Sequence, residues 1–286
     1  MNKRVIVGIG ARDSGHAALE WALEFAEAHH AEVELVHVAD ERWSGLSNEL
    51  SGEALLAAEH DLRTRAEQAT AARPGVHVHP SVVEGVPVDA LVERSTGASL
   101  LVLGTHPLKR FKGLVFSTRA SHIAALARCS VVVVPETQDP SCQGVVVGID
   151  GSTTSAAAAQ FAATEADRLG EPLRAIYAWR TLSPWTTDVD GRAPAVPGDG
   201  ERIILSEALA GIAEQFPDLR VDEALSAERP SDALISAALG ARMLVVGTHG
   251  RRGVARLLLG SVSHEMLLRM PCPVAVIRVE TGGAAA

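Results

Sequence analysis

Val5-Ile6-Val7-Gly8-Ile9-Gly10 returns about 140 residues later as Val145-Val146-Val147-Gly148-Ile149-Asp150. Other pairs follow in the same order. Val88-Asp89-Ala90-Leu91 is answered by Ser231-Asp232-Ala233-Leu234. Leu101-Val102-Leu103-Gly104-Thr105-His106 is answered by Leu244-Val245-Val246-Gly247-Thr248-His249. Cys129 ahead of the valines at 131–134 is answered by Cys272 ahead of 274–277. Self-similarity at a fixed offset marks one structural unit used twice. The expected domains are therefore residues 1–138 and 143–286, joined by the polar stretch 136–143 with Pro140.

Within the first repeat, short apolar runs at 4–9, 33–38, 76–83, 99–103 and 130–134 alternate with helical patterns. Ala18, Trp21, Ala22, Phe25 and Ala26 share one face at helical spacing. The runs are continuous in Val, Ile and Leu instead of alternating with polar residues, which suits a parallel sheet buried on both faces. Strand–helix alternation with right-handed crossovers then gives an α/β fold made of two tandem doubly wound domains.

A chain of 286 residues is long enough for two such cores, and its 47% hydrophobic content is that of a globular protein. Aromatic residues make up only 3%, so the cores are expected to be built from Ala, Val, Leu and Ile. The net charge of −9 speaks against a nucleic-acid partner, which would select a basic face. Apolar runs stop short of a membrane span, and the first residues enter a strand directly, so the expected location is the cytosol. Cys129, Cys142 and Cys272 form no CxxC pair and suggest neither a disulfide framework nor a zinc site. They read as two buried small residues and one in the linker. His77 and His79 share a strand face, but without a third ligand they make no metal site.

The chemistry concentrates after the run Met243-Leu244-Val245-Val246. Gly247-Thr248-His249-Gly250 follows, then nine residues, then Gly260-Ser261, where an amphipathic helical pattern begins. A strand, a glycine-rich loop and a helix start in that order form an anion cradle. Glycine leaves the backbone open to a ligand, and a helix N-terminus offers unpaired N–H groups and a positive dipole end. The P-loop is a different pattern, since it places Lys and Ser/Thr directly after its last Gly.

The spacing G-x-x-G-x9-G-[ST] through Gly247, Gly250, Gly260 and Ser261 resembles the ATP-binding signature of universal stress proteins. The resemblance implies five parallel strands per domain in the order 3-2-1-4-5. Strands one and four then flank the point where winding reverses, which is where ligands sit in such sheets. It implies that Asp150 contacts the adenine–ribose end of ATP and that the backbone of Ala178 receives the adenine edge. It also implies that Val246, Gly247, Gly250, Gly260, Ser261 and Val262 line the triphosphate, with Mg2+ left open as its companion. Taken alone, Asp150 also reads as a helix N-cap, and Ser261 as a phosphate donor, a cap, or both. Arg251 and Arg252, with Arg256 beyond them, read equally as phosphate-neutralising charges and as a solvated loop, whereas His249 reads as a loop histidine. The segment 181–200, with Trp179 and Trp185 at its start, reads either as a lid or partner surface or as an insertion.

The first repeat departs from this pattern. Gly10 stands for Asp150, Pro107 for Gly250 and Ser117 for Gly260, while Gly104 and Thr118 are retained. Asp13 lies out of register, and Lys109, Arg110 and Lys112 offer charge for an anion in the spacer. The expectation is one nucleotide per chain, in the second repeat. The function expected is that of an ATP-binding regulator of stress or growth arrest, working with a protein partner the sequence does not reveal. A slow ATP hydrolase and a ligand-free scaffold are the alternatives, and no residue of the motif reads as catalytic. The last strands, at 131–134 and 274–277, are expected to pair either between two chains as a homodimer or between the two repeats.

Overall fold

The uninterrupted apolar runs of the first repeat fold as β1 (Lys3–Ile9), β2 (Ala31–Ala39), β3 (Val78–Glu84), β4 (Leu100–Thr105) and, last in the sheet, β7 (Ser130–Pro135). Between them lie α1 (His16–His29), α2 (Asn48–Ala72), α3 (Pro87–Arg94) and α4 (Thr118–Leu126). A short antiparallel ribbon, β5 (Leu108–Arg110) with β6 (Gly113–Val115), lies in the spacer before α4. The second repeat runs β8 (Val145–Ile149), α5 (Thr153–Leu169), β9 (Leu173–Ala178), α6 (Asp199–Gln215), β10 (Val221–Ser226), α7 (Pro230–Ala238), β11 (Met243–Gly247), α8 (Ser261–Arg269) and β12 (Val274–Ile277). This computed structural model describes residues 3–10, 15–40, 48–105, 108–110, 113–115, 118–179, 199–250 and 259–279. The chain divides into two compact units, Met1–Thr137 and Gln138–Ala286.

In the first unit the strand order is β3-β2-β1-β4-β7, and in the second it is β10-β9-β8-β11-β12, all neighbours parallel. Each is the order 3-2-1-4-5. The inner strands are buried on both faces, as their continuous apolar composition requires: Val5, Ile6 and Val7 of β1 and Leu244 and Val245 of β11 are fully enclosed. On α1, Ala18, Ala22, Phe25 and Ala26 are buried, and Trp21 stacks on Phe25 with ring centroids 5.4 Å apart.

The repeated Asp-Ala-Leu motif has a packing reason. A Cβ added to Gly8 would lie 2.9 Å from Leu103 and 3.3 Å from Leu91, and one added to Gly148 would lie 3.1 Å from Leu234. The mid-strand glycine and the leucine of α3 or α7 form one close-packed pair, present in both units. Each of these helices starts with a proline in its first turn, where the missing N–H costs nothing.

Two features depart from the sequence reading. The third strand starts at Val78, not 76, so His77 lies outside it, and His79 is exposed on it. Among the described residues, no group of three His, Cys, Asp or Glu gathers as a metal cluster. The spacer of the first repeat, where the sequence reading placed no strand, contains the β5–β6 ribbon, with Lys109 opposite Leu114 and Arg110 opposite Gly113. Cys129 and Cys272 are buried and Cys142 is partly so. Burial pushes the Cys272 thiol up to about 12, which makes it unreactive. No helix among the described residues is long and apolar enough to cross a membrane.

Candidate functional site

β8 lies between β9 and β11, with Val145, Val146 and Val147 in register with Met243, Leu244 and Val245 on one side. From β8 the chain winds outward to β9 and β10, then returns to β11 and β12 on the other side. The carboxyl ends of β8 and β11 therefore open a crevice at the switch in winding direction. Asp150 follows the end of β8, and the glycine loop follows the end of β11.

The turn after β8 is tied down by its own side chains. Asp150 Oδ1 accepts the Ser152 N–H at 3.0 Å and the Ser152 hydroxyl at 2.6 Å, while Gly151 turns the chain at a φ of 79°. Ser152 is the N-cap of α5, its Oγ accepting the Ser155 N–H at 3.1 Å. The capping role that Asp150 alone suggested thus belongs to Ser152, two residues on. The Asp150 carboxylate is held above the helix start instead of being spent on it. Its other oxygen, Oδ2, lies only 2.5 Å from where a Cβ on Gly250 would stand. Segments a hundred residues apart in sequence meet here, and a side chain at 250 would displace the carboxylate from its present place.

The base of the glycine loop is closed by three hydrogen bonds. The Thr248 N–H donates to the Ile277 carbonyl at 3.0 Å, and the Thr248 carbonyl accepts the Gly260 N–H at 2.8 Å and the Ser263 hydroxyl at 3.1 Å. Gly260 is the N-cap of α8 and uses no side-chain cap. Ser261 is the first helical residue, and it is exposed. Its hydroxyl does not cap the helix. The N–H groups of that first turn have no carbonyl one turn earlier within the helix. Val262 is half-buried beside it, and Val246 is buried in β11. Gly247 is demanded by packing, since a Cβ there would lie 2.8 Å from Thr154 Oγ1 and 3.0 Å from its backbone. Gly260 is looser, with a Cβ at 3.3 Å from the Thr248 carbonyl oxygen. Ala178 ends β9 beside β8, opposite Ser226, and the following Trp179 N–H donates to the Ser226 carbonyl at 3.0 Å. His249 is half-buried, and its Nε2 is enclosed without a hydrogen-bond partner among the described residues.

The corresponding place in the first unit is built differently. Gly10 is exposed beyond β1 and offers no carboxylate. A Cβ on Gly104 would lie 2.9 Å from the Cα of Gly15, so a glycine of α1's start occupies the place that Thr154 has in the second unit. The Gly15 N–H donates to the Glu136 carboxylate at 3.2 Å, and the Glu136 N–H donates to the Thr105 carbonyl at 3.3 Å. The residue matching Glu136 is Val279. A ring nitrogen of His37 lies 3.1 Å from the Ile9 carbonyl oxygen, bridging the ends of β1 and β2.

The structure thus brings Asp150, Gly247, Gly250, Gly260 and Ser261 to one end of one sheet, with Ala178 on the next strand. Asp13, Pro107, Lys112, Ser117, Arg251, Arg252, Arg256, Trp185 and 181–198 of the long segment lie outside the described residues. Sequence reasoning missed Ser152, Thr154 and Glu136. The hydroxyl run Ser152-Thr153-Thr154-Ser155 was the available signal for the first two; Glu136 had none.

A model of the Universal stress protein family matches residues 1–135 and again 143–278. A universal stress protein of Mycobacterium tuberculosis H37Rv is 30% identical over 290 residues, covering 96% of each chain. Another from the same strain is 31% identical over 288 residues, again covering 96% of both. Among solved structures, a universal stress protein from Archaeoglobus fulgidus superposes with a TM-score of 0.72 at 17% identity, covering 96% of this chain and 98% of its own.

Proposed function

The chain belongs to the universal stress protein family, and we propose that it is a cytosolic nucleotide-binding regulator that holds one ATP in its second repeat. The observation that carries this reading is the meeting of Asp150 with Gly250. A carboxylate fixed by Ser152 stands directly beside the exposed Gly250, at the crevice where doubly wound sheets receive ligands. The loop and the start of α8 present backbone N–H groups to the phosphates. Asp150 and the end of β9 at Ala178 serve the ribose and adenine. Mg2+ enters as the counter-ion carried by the triphosphate.

Binding, not turnover, is the function proposed. No residue of the motif reads as a general base toward a terminal phosphate. Regulation of stress or growth arrest then follows from nucleotide occupancy, read out by a partner protein. Assembly through the last strands, β7 and β12, is part of the same proposal, either within one chain or in a homodimer. Calorimetric titration of the purified chain with ATP, ADP and AMP, beside chromatography of nucleotide released on denaturation, tests the reading. Saturable ATP binding with ATP recovered intact is expected. Recovery of ADP after incubation with ATP would favour the hydrolase, and no binding would favour a scaffold.

A further inference from the structure

Thr154 lies on α5, outside the glycine motif, yet its hydroxyl reaches the motif. Thr154 Oγ1 donates to the His249 carbonyl at 2.5 Å. Ser152 lies 3.4 Å from the same carbonyl but 2.6 Å from Asp150 Oδ1, so its proton goes to the carboxylate and the His249 carbonyl is held by Thr154. The two hydroxyl oxygens lie 3.0 Å apart. There are no cis peptide bonds among the described residues. A trans peptide holds its C=O and N–H antiparallel. With the His249 carbonyl drawn onto α5, the N–H of the same peptide, that of Gly250, faces away from α5 on the exposed side of the loop.

We propose that Thr154 is a positioning residue for phosphate binding: its hydroxyl sets the 249–250 peptide so that the Gly250 N–H faces the phosphate. A glycine loop can flip a peptide at small cost, and a flipped one would present a carbonyl oxygen to an anion. The hydroxyl removes that alternative before the ligand arrives. Among the described residues of the first unit, no hydroxyl stands against the matching glycine, Gly104. Gly15 stands beside Gly104 where Thr154 stands beside Gly247; it has no side-chain donor to offer a loop carbonyl, and its N–H goes to Glu136.

The inference rests on the reading that this loop holds phosphate, and the test separates the two. ATP, inorganic tripolyphosphate and adenosine are titrated into wild type, Thr154→Val and Thr154→Ser. Valine keeps the shape and removes the donor, whereas serine keeps the donor. Thr154→Val is expected to weaken ATP and tripolyphosphate alike by about tenfold, the worth of one well-placed hydrogen bond, and to leave adenosine unchanged. Thr154→Ser is expected to bind all three like wild type. The Gly250 amide resonance of nucleotide-free Thr154→Val is expected to move, and that of Thr154→Ser to stay. Wild-type tripolyphosphate affinity in Thr154→Val overturns the inference, as does equal weakening of adenosine and ATP. Failure of the wild type to bind ATP or tripolyphosphate overturns the phosphate reading itself, and the inference with it.

Discussion

The two units share a strand order and a close-packed crevice, yet they spend the same contact differently. In both, a glycine at the carboxyl end of the fourth strand, Gly104 or Gly247, lies against the start of the unit's first helix. In the second unit that helix offers Thr154, whose hydroxyl holds a loop carbonyl, and Ser152, which steadies Asp150. In the first it offers Gly15, whose N–H is already taken by Glu136. One crevice keeps its polar groups organised beside the exposed Gly250. The other has used a carboxylate of its own chain. A duplicated fold can thus keep its packing rules while the polar groups at its two crevices diverge.

The largest effect is expected where the difference is sharpest. Gly250→Val puts a side chain 2.5 Å from Asp150 Oδ2. The carboxylate or the loop has to move, and ATP affinity measured by calorimetry should fall about a hundredfold. Gly260→Ala meets its nearest neighbour at 3.3 Å and should cost less than tenfold. If the two variants behave alike, the Asp150–Gly250 contact is not what distinguishes the site.

What the units share should break equally in both. Gly247→Ala and Gly104→Ala each drive a Cβ to 3.0 Å or less from helix backbone. Each should lose about 1–3 kcal/mol in urea unfolding. A loss confined to Gly247→Ala would show that this glycine serves the ligand loop instead of the shared packing.

Smaller effects sharpen the contrast at the helix starts. Ser152→Ala removes the cap of α5 and should cost about 1 kcal/mol of unfolding free energy. It should also weaken ATP binding, because Asp150 loses its support. Glu136→Gln replaces a charged acceptor at Gly15 with a neutral one and should cost less than about 1 kcal/mol, with ATP affinity unchanged. An altered affinity in Glu136→Gln would mean that the first unit's crevice takes part in binding.

The sheet order was readable because it follows from continuous apolar runs and a repeat whose family resemblance fixes the topology. The meeting of Asp150 with the glycine loop followed from that order. Three things were hidden. Asp, Ser and Thr all suit a helix start, so sequence could not say that Ser152 caps α5 while Asp150 stays above it. The reach of Thr154 to His249 depends on how closely α5 packs on β11, a distance set by Gly247 that no spacing rule reports. Glu136 lies in a stretch that reads as linker, and its contact with Gly15 joins residues 121 positions apart. The β5–β6 ribbon was missed because its strands, Leu108–Arg110 and Gly113–Val115, are shorter than the apolar runs that signal a strand.

One ATP per chain, in the second repeat, is the central claim. The most direct measurement is to saturate the purified chain with ATP, remove the excess, denature a known amount and quantify the nucleotide released. The predicted ratio is near one per chain, falling toward zero in Gly250→Val. A ratio near two, or a ratio that stays near one in Gly250→Val, would contradict it.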